Sequence, residues 1–295
     1  GIKVNYETFS TNEDMYVKVK SGGSSYDVLI PSDYMIEKMA KEDLLQELDY
    51  SKIPNITNIS PMFQDLIFDP DNKYSVPYFW GTVGILYNTE QVDDVVDSWD
   101  ILWNEKYANK ILMMDSQRDS LAVALKKLGY SMNTRNETEL EEAKQELIEQ
   151  KPLVLAYIVD EIRDKMLSGE GAVAVAWSGD PMDVILSGET FEYIVPKEGS
   201  NFWIDAMVVP ANAKNPDAAH KFINFMTDPE NAAANSEYIG YSTPNEAALE
   251  LLPEEMINSD VAYPSQEVID NCEIFRDPGD FISVYNRIWT EVTIY

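Results

Sequence analysis

Ile111-Leu112-Met113-Met114 runs straight into Asp115-Ser116-Gln117-Arg118-Asp119, after which Leu121, Ala124, Leu125 and Leu128 lead up to Gly129. Four consecutive apolar residues bounded by a polar loop are too short for a helix and suit a strand buried on both faces. The apolar set that follows repeats at three- and four-residue spacing and stops at a glycine, which predicts an amphipathic helix. Strand, loop and helix in that order are half of a βαβ unit, so this stretch predicts an α/β fold.

The same grammar holds on either side. Val28-Leu29-Ile30, stopped by Pro31, reads as a short buried strand, and Gly81 to Tyr87 and Ala172 to Trp177 read as two more. Leu140, Ala143, Leu147 and Ile148 follow Asn136, with Glu139 placed to complete a capping box. Asn215-Pro216 opens a third helix whose apolar face is Ala219, Phe222, Ile223 and Met226. At 295 residues the chain is too long for one ordinary compact unit, and it has no repeat or Gly/Ser linker. Two interleaved lobes are therefore expected, joined by extended crossings, with Gly84 to Asn88 and Trp203 to Pro210 as the candidate hinge segments.

Charge narrows the function. The balance of 22 Lys+Arg against 52 Asp+Glu gives a formal net charge of -30, which repels nucleic acid and anionic lipid and attracts cations. Acidity of this kind also serves plain solubility. One cysteine, Cys272, and one histidine, His220, rule out an internal disulfide, His-rich metal sites and most catalytic triads. No GxSxG, HExxH, CxxC or phosphate-binding glycine motif occurs, so neither a catalytic centre nor a cofactor or metal site is expected. His220 is expected to be an ordinary, partly exposed helix residue. Asp69-Pro70-Asp71-Asn72 lacks the glycine and terminal Glu of a calcium loop and reads as a turn. No run reaches the ~20 apolar residues that span a bilayer.

The segment richest in chemistry is Asn201-Phe202-Trp203-Ile204-Asp205, because a strand puts i and i+2 on one face and so points Trp203 and Asp205 the same way. A carboxylate beside an indole suits an alkylammonium, with cation–π attraction of ~0.5–2 kcal/mol. A core tryptophan next to a surface acid is the ordinary alternative. Ser32 and Tyr34, just past a strand, offer hydroxyls and a ring, or else a helix N-cap. Asp115 and Asp119 flank one strand-to-helix loop, where an acid is also a routine cap. Trp177 closes another strand. What ties these together is placement just past the carboxyl ends of strands, where open α/β sheets bind ligands. Rings mixed with acids describe a cationic, partly apolar ligand better than a phosphate.

Five separated blocks give the chain a resemblance to the spermidine/putrescine-binding proteins of ABC transporters. They are Tyr26-Asp27-Val28-Leu29-Ile30-Pro31-Ser32-Asp33-Tyr34, Val76-Pro77-Tyr78-Phe79-Trp80-Gly81-Thr82, Phe202-Trp203-Ile204-Asp205, Pro210-Ala211-Asn212-Ala213-Lys214-Asn215 and Ile239-Gly240-Tyr241-Ser242-Thr243-Pro244-Asn245. The resemblance implies a two-lobed, type II periplasmic-binding-protein-like α/β fold, each lobe a mixed sheet flanked by helices. It implies residues 1–86 plus 204–251 for the first lobe, which lacks its usual first strand, and 87–203 plus 252–295 for the second.

It further implies an extracytoplasmic protein, periplasmic or anchored as a lipoprotein, that works as a monomer. Such a protein captures a polyamine between its lobes and hands it to an ABC permease without catalysis. By that likeness Ser32 and Tyr34 are polar and aromatic contacts, Trp177 and Trp203 stacking rings, Asp205 the acid that meets an amine, and Tyr241 an aromatic wall. Asp115 and Asp119 match an acidic loop in which Asp119 replaces a Glu and Ser116 a residue that is often Asp. Phe275 stands where some members have a Gln that reaches the ligand. Members begin one strand earlier, with a Trp-x-x-Tyr segment, and the β-prone tail Val292-Thr293-Ile294-Tyr295 is expected to pair where that strand would lie. Two other readings stay open: a binder of another organic cation or a metal chelate, and an acid-pair hydrolase.

Overall fold

The structure is a computed structural model that describes residues 1–9, 11–22, 25–188 and 190–295. In chain order its main elements are α1 (Asn12–Lys20), α2 (Asp33–Lys41), β1 (Ser75–Asn88), β2 (Ile111–Met114), α3 (Gln117–Lys127), α4 (Glu137–Gln150) and β3 (Val154–Ile158). They continue with α5 (Ile162–Leu167), β4 (Val173–Trp177), α6 (Gly179–Ser187), β5 (Phe191–Ile194), β6 (Phe202–Val208), α7 (Pro216–Met226), α8 (Pro229–Ile239) and a last helix, Ile282–Ile294. The architecture is α/β with a mixed sheet, as the strand–helix alternation predicts. Among the described residues no helix is long and apolar enough to cross a membrane.

The chain forms two compact units, Gly1–Trp80 with Trp203–Pro253, and Gly81–Phe202 with Glu254–Tyr295. In the first, a core of Ile53, Val76, Met207, Val209, Ala219 and Ile223 gathers α7 onto the strand segments. Asn215-Pro216 opens α7 as expected, and Ala219 and Ile223 are its buried positions. His220 is buried rather than partly exposed: Nδ1 bonds the Pro216 carbonyl at 2.7 Å, and Nε2 accepts from the Asp49 N–H at 3.0 Å. Both nitrogens have partners, so burial of the ring costs little.

The expected strand Val28–Ile30 is reduced to a bridge between Leu29 and Val208, with Leu29 buried and Ile30 exposed. Pro31 has no N–H to extend the ladder, though its carbonyl still accepts from Ala206 at 3.0 Å. Asp69-Pro70-Asp71-Asn72 is a turn. Its Asp69 carboxylate accepts from the N–H groups of Lys73, Tyr74 and Ser75 at 2.8–3.2 Å.

The second unit orders its strands β3-β2-β4-β1-β5, with β2 parallel to β3 and β4, and β1 antiparallel to β4 and β5. Gly84 to Asn88 is therefore no bare crossing, since Ile85, Leu86 and Tyr87 have partners on both β4 and β5. The run Ile111–Met114 is a strand buried throughout, as an internal parallel strand covered on both faces must be. Leu121, Ala124 and Leu125 of α3 are fully buried. Asn136 caps α4 by accepting from Thr138 N–H, but Glu139 turns to the Asn136 side-chain amide and the Thr134 hydroxyl, so the reciprocal half of the capping box is not made. The tail does not pair as a strand. Val292 to Ile294 complete the last helix, in which Tyr285, Ile288 and Val292 recur at helical spacing and are buried. Burial of that stripe outweighs local β propensity.

Candidate ligand-binding site

The expected contact residues fall into two groups, five in the first unit and three in the second. In the first, β6 carries Trp203 and Asp205 on the same side of one strand, and an antiparallel bridge sets Ser32 beside Asp205. Ser32 occupies the N-cap position of α2 yet makes no side-chain cap. Its hydroxyl donates to Asp205 Oδ1 at 2.7 Å and accepts from the Asn12 side-chain amide at 3.1 Å. Asp33 serves the helix start in its place, accepting from Tyr34 N–H at 2.6 Å with one oxygen and from Ile204 N–H at 3.2 Å with the other. Ser32 thus holds the N-cap position that the alternative expected, but its hydroxyl serves Asp205 instead of the helix.

Asp205 is a half-buried acid with little support. Burial pushes its carboxyl up to about 6, and the Ser32 hydroxyl bond opposes this without cancelling it. Among the described residues no cationic side chain pairs with it. Beside it on β6, Trp203 is buried and meets the edge of Tyr241 at 4.8 Å between ring centroids, with planes at 66°. Tyr241 follows directly on α8, which ends at Gly240 with φ 80°, a left-handed residue that turns the chain sharply. Phe79 backs Tyr241 at 5.9 Å, so the aromatic wall is three rings deep. Tyr34 does not share a face with Ser32: it lies inside α2, and its hydroxyl donates to Glu13 Oε1 at 3.0 Å.

In the second unit Ser116 is the N-cap of α3, and Asp119 stands three residues on, inside the first turn. The Ser116 hydroxyl donates to Asp119 Oδ2 at 2.6 Å while receiving the Asp119 N–H at 3.5 Å, so the serine caps and the acid answers it. Asp119 is buried, and burial raises its carboxyl; Ser116, Arg118, the Asn201 amide and the Trp177 indole pull the other way. Trp177, at the end of β4, thus meets Asp119. Asp115 does not join them. Its side chain is exposed, and its N–H continues the sheet by bonding the Ile158 carbonyl at 3.1 Å.

Phe275 is buried beneath Arg118, whose guanidinium carbon lies 4.4 Å from the ring centroid. Arg118 also donates to the Arg276 carbonyl and to Asn133 Oδ1, both at 3.2 Å. The ring that stands in place of a ligand-reaching Gln is therefore a core residue that fixes an arginine. Asn201 and Asn12 were not singled out by the sequence. The first sat within reach of the strand argument, one residue before β6; the second gave no signal, being 20 residues from Ser32. A further cavity of about 270 Å³ in the first unit lies among Tyr50, Ile59, Phe63, Asn72 and Pro77 and contains none of the expected residues.

The first unit thus sets a half-buried acid, held by a hydroxyl, beside edge-to-face rings. Residues 1–265 match the model for bacterial extracellular solute-binding proteins. The chain belongs to that family. It is 40% identical over 294 residues to the spermidine/putrescine-binding periplasmic protein of Salmonella typhimurium, covering 99% of this chain and 84% of the relative. A solved structure from Listeria monocytogenes superposes with a TM-score of 0.95 at 46% identity, covering 100% of this chain and 92% of that one. The spermidine/putrescine ABC transporter substrate-binding protein of Streptococcus pneumoniae superposes with a TM-score of 0.84 at 44% identity, over 98% and 91% of the two chains. Family membership places the protein outside the cytoplasm.

Proposed function

We propose that this chain captures a polyamine, spermidine or putrescine, and delivers it to an ABC permease, acting as a monomer and catalysing no reaction. The observation that carries this reading is Asp205: a half-buried carboxylate, shifted toward neutrality, bonded by one hydroxyl and flanked by the Trp203–Tyr241 wall. Such an acid gains from a bound cation what burial takes from it, and a rise from 3.8 to about 6 corresponds to about 3 kcal/mol. A diamine needs an acid at each end and apolar cover between. The chain supplies two acid-and-indole pairs, Asp205 with Trp203 and Asp119 with Trp177, while methylenes gain ~0.8 kcal/mol each on burial. Ser32 and Tyr241 complete the first pair. Tyr34 joins it if its hydroxyl leaves Glu13, and exposed Asp115 adds to the long-range attraction of a chain with net charge -30. The relatives named for spermidine and putrescine support the choice of ligand over other cations.

Titration calorimetry with putrescine, spermidine, a monoamine and an amino acid tests the proposal. Saturable binding of a polyamine with one site per chain, weakened in Asp205→Asn, is expected. Binding of none of the polyamines by folded protein would overturn it.

A further inference from the structure

Behind Asp119, on the α3 side, the second unit encloses a space of about 10 Å³ bordered by Val83, Trp99, Asp119, Val123, Lys126 and Asn201. Asp119 and Asn201 both line it, and although the Asn201 amide lies near enough to pull on the Asp119 carboxyl, Asp119 Oδ1 and Asn201 Oδ1 are each buried without a partner at hydrogen-bond geometry. Leaving a buried acceptor unsatisfied is costly, more so when it is charged, and two acceptors cannot satisfy each other. The missing group must therefore be a small donor with two hydrogens. A space of roughly 10–15 Å³ is what one water molecule needs, and it is too small for an ammonium with its methylene.

We propose that one resident water donates to both Asp119 Oδ1 and Asn201 Oδ1, making Asn201 a positioning residue for the acid. The Ser116 hydroxyl grips Oδ2 at 2.6 Å, so the water on Oδ1 completes a two-sided hold that fixes the carboxylate plane. The charged groups around Asp119 leave this task open. Arg118 is committed to Phe275, Tyr285, Asn133 and the Arg276 carbonyl, and Lys126 to Glu273 Oε1 at 3.0 Å. The water follows from the second unit alone, whereas its effect on ligand rests on the role proposed for Asp119 above.

The test is a crystal structure at about 1.3 Å, with and without putrescine, and polyamine titrations from pH 5 to 8. One fully occupied peak within hydrogen-bond distance of both oxygens is expected in both states. In Asn201→Leu, which keeps the branched shape, removes the acceptor and takes up more of the space, the peak should vanish. Polyamine affinity should then fall about fivefold, the worth of one hydrogen bond, with its acid limb moved to higher pH. Ala122→Val, which narrows the same space from α3 without touching either partner, should give the same shift and guards against a folding defect in the first variant. Wild-type density without the water, and with the Asn201 amide turned so that its nitrogen donates to Asp119 Oδ1, would overturn the proposal. So would loss of the water in both variants with an unchanged pH profile. If the water is present but wild-type protein binds no polyamine, the functional reading fails and the water stands.

Discussion

Asp205 and Asp119 are both acids next to an indole, the first half-buried and the second buried, and they are built differently. Asp205 sits in the body of a strand, and the side chain that holds it among the described residues is one hydroxyl from a residue 173 positions away in the chain. Asp119 sits in the first turn of a helix, next to its own cap and near an arginine, an amide and an indole. An acid supported by its neighbours tolerates loss of one contact, because the others still hold its charge. An acid supported by one long-range contact does not, and the difference predicts an order of sensitivity.

The largest expected effect is Asp205→Asn, which should weaken polyamine binding about a hundredfold at pH 7.5, as removal of a buried charge partner costs ~3 kcal/mol. Asp119→Asn should cost about tenfold in the same calorimetry; equal losses at the two positions would erase the contrast. Ser32→Ala comes next, with a loss of about fivefold, because Asp205 loses the bond that opposes its burial. Its binding curve should also move to higher pH.

The pH dependence follows from sign. A carboxyl raised to about 6 is partly protonated at that pH in the free protein, and a bound cation favours the ionised form. Affinity should therefore fall as pH drops below about 6, and binding near pH 6 should release a proton, seen as a calorimetric heat that changes with buffer ionisation enthalpy. Binding that is flat from pH 5 to 8 would remove Asp205 from the site. A separate effect, of opposite sign, falls on the ligand-free fold. Because the folded carboxyl is raised above its unfolded value, wild-type stability is lost as pH climbs from about 4 through 6. Asp205→Asn should thus be more stable than wild type by on the order of 1–3 kcal/mol at pH 7.5 and equal to it near pH 4, measured by urea unfolding without polyamine.

How far the sequence alone reached tracks the range of the interactions involved. Ile111–Met114 and the α3 and α7 faces were legible because burial of a local pattern decides them. Trp203 and Asp205 were legible as a pair because period two puts them on one face. The bond from Ser32 to Asp205 was not, since no local rule joins positions 32 and 205. Tyr34 was misplaced because a strand-like spacing was read into what is the start of α2. The tail failed in the opposite way. Its four residues favour a strand by propensity, but Tyr285 and Ile288 upstream already commit the segment to a buried helical stripe.

Ser32 occupies a capping position without capping, and this has a consequence for anyone who engineers the protein toward heat tolerance. Aspartate, the usual improvement at a helix start, would set a second negative charge against Asp205. Selection for a sturdier fold and selection for ligand capture thus pull residue 32 in opposite directions, and a library screened on melting temperature alone should drift away from serine there while losing its cargo.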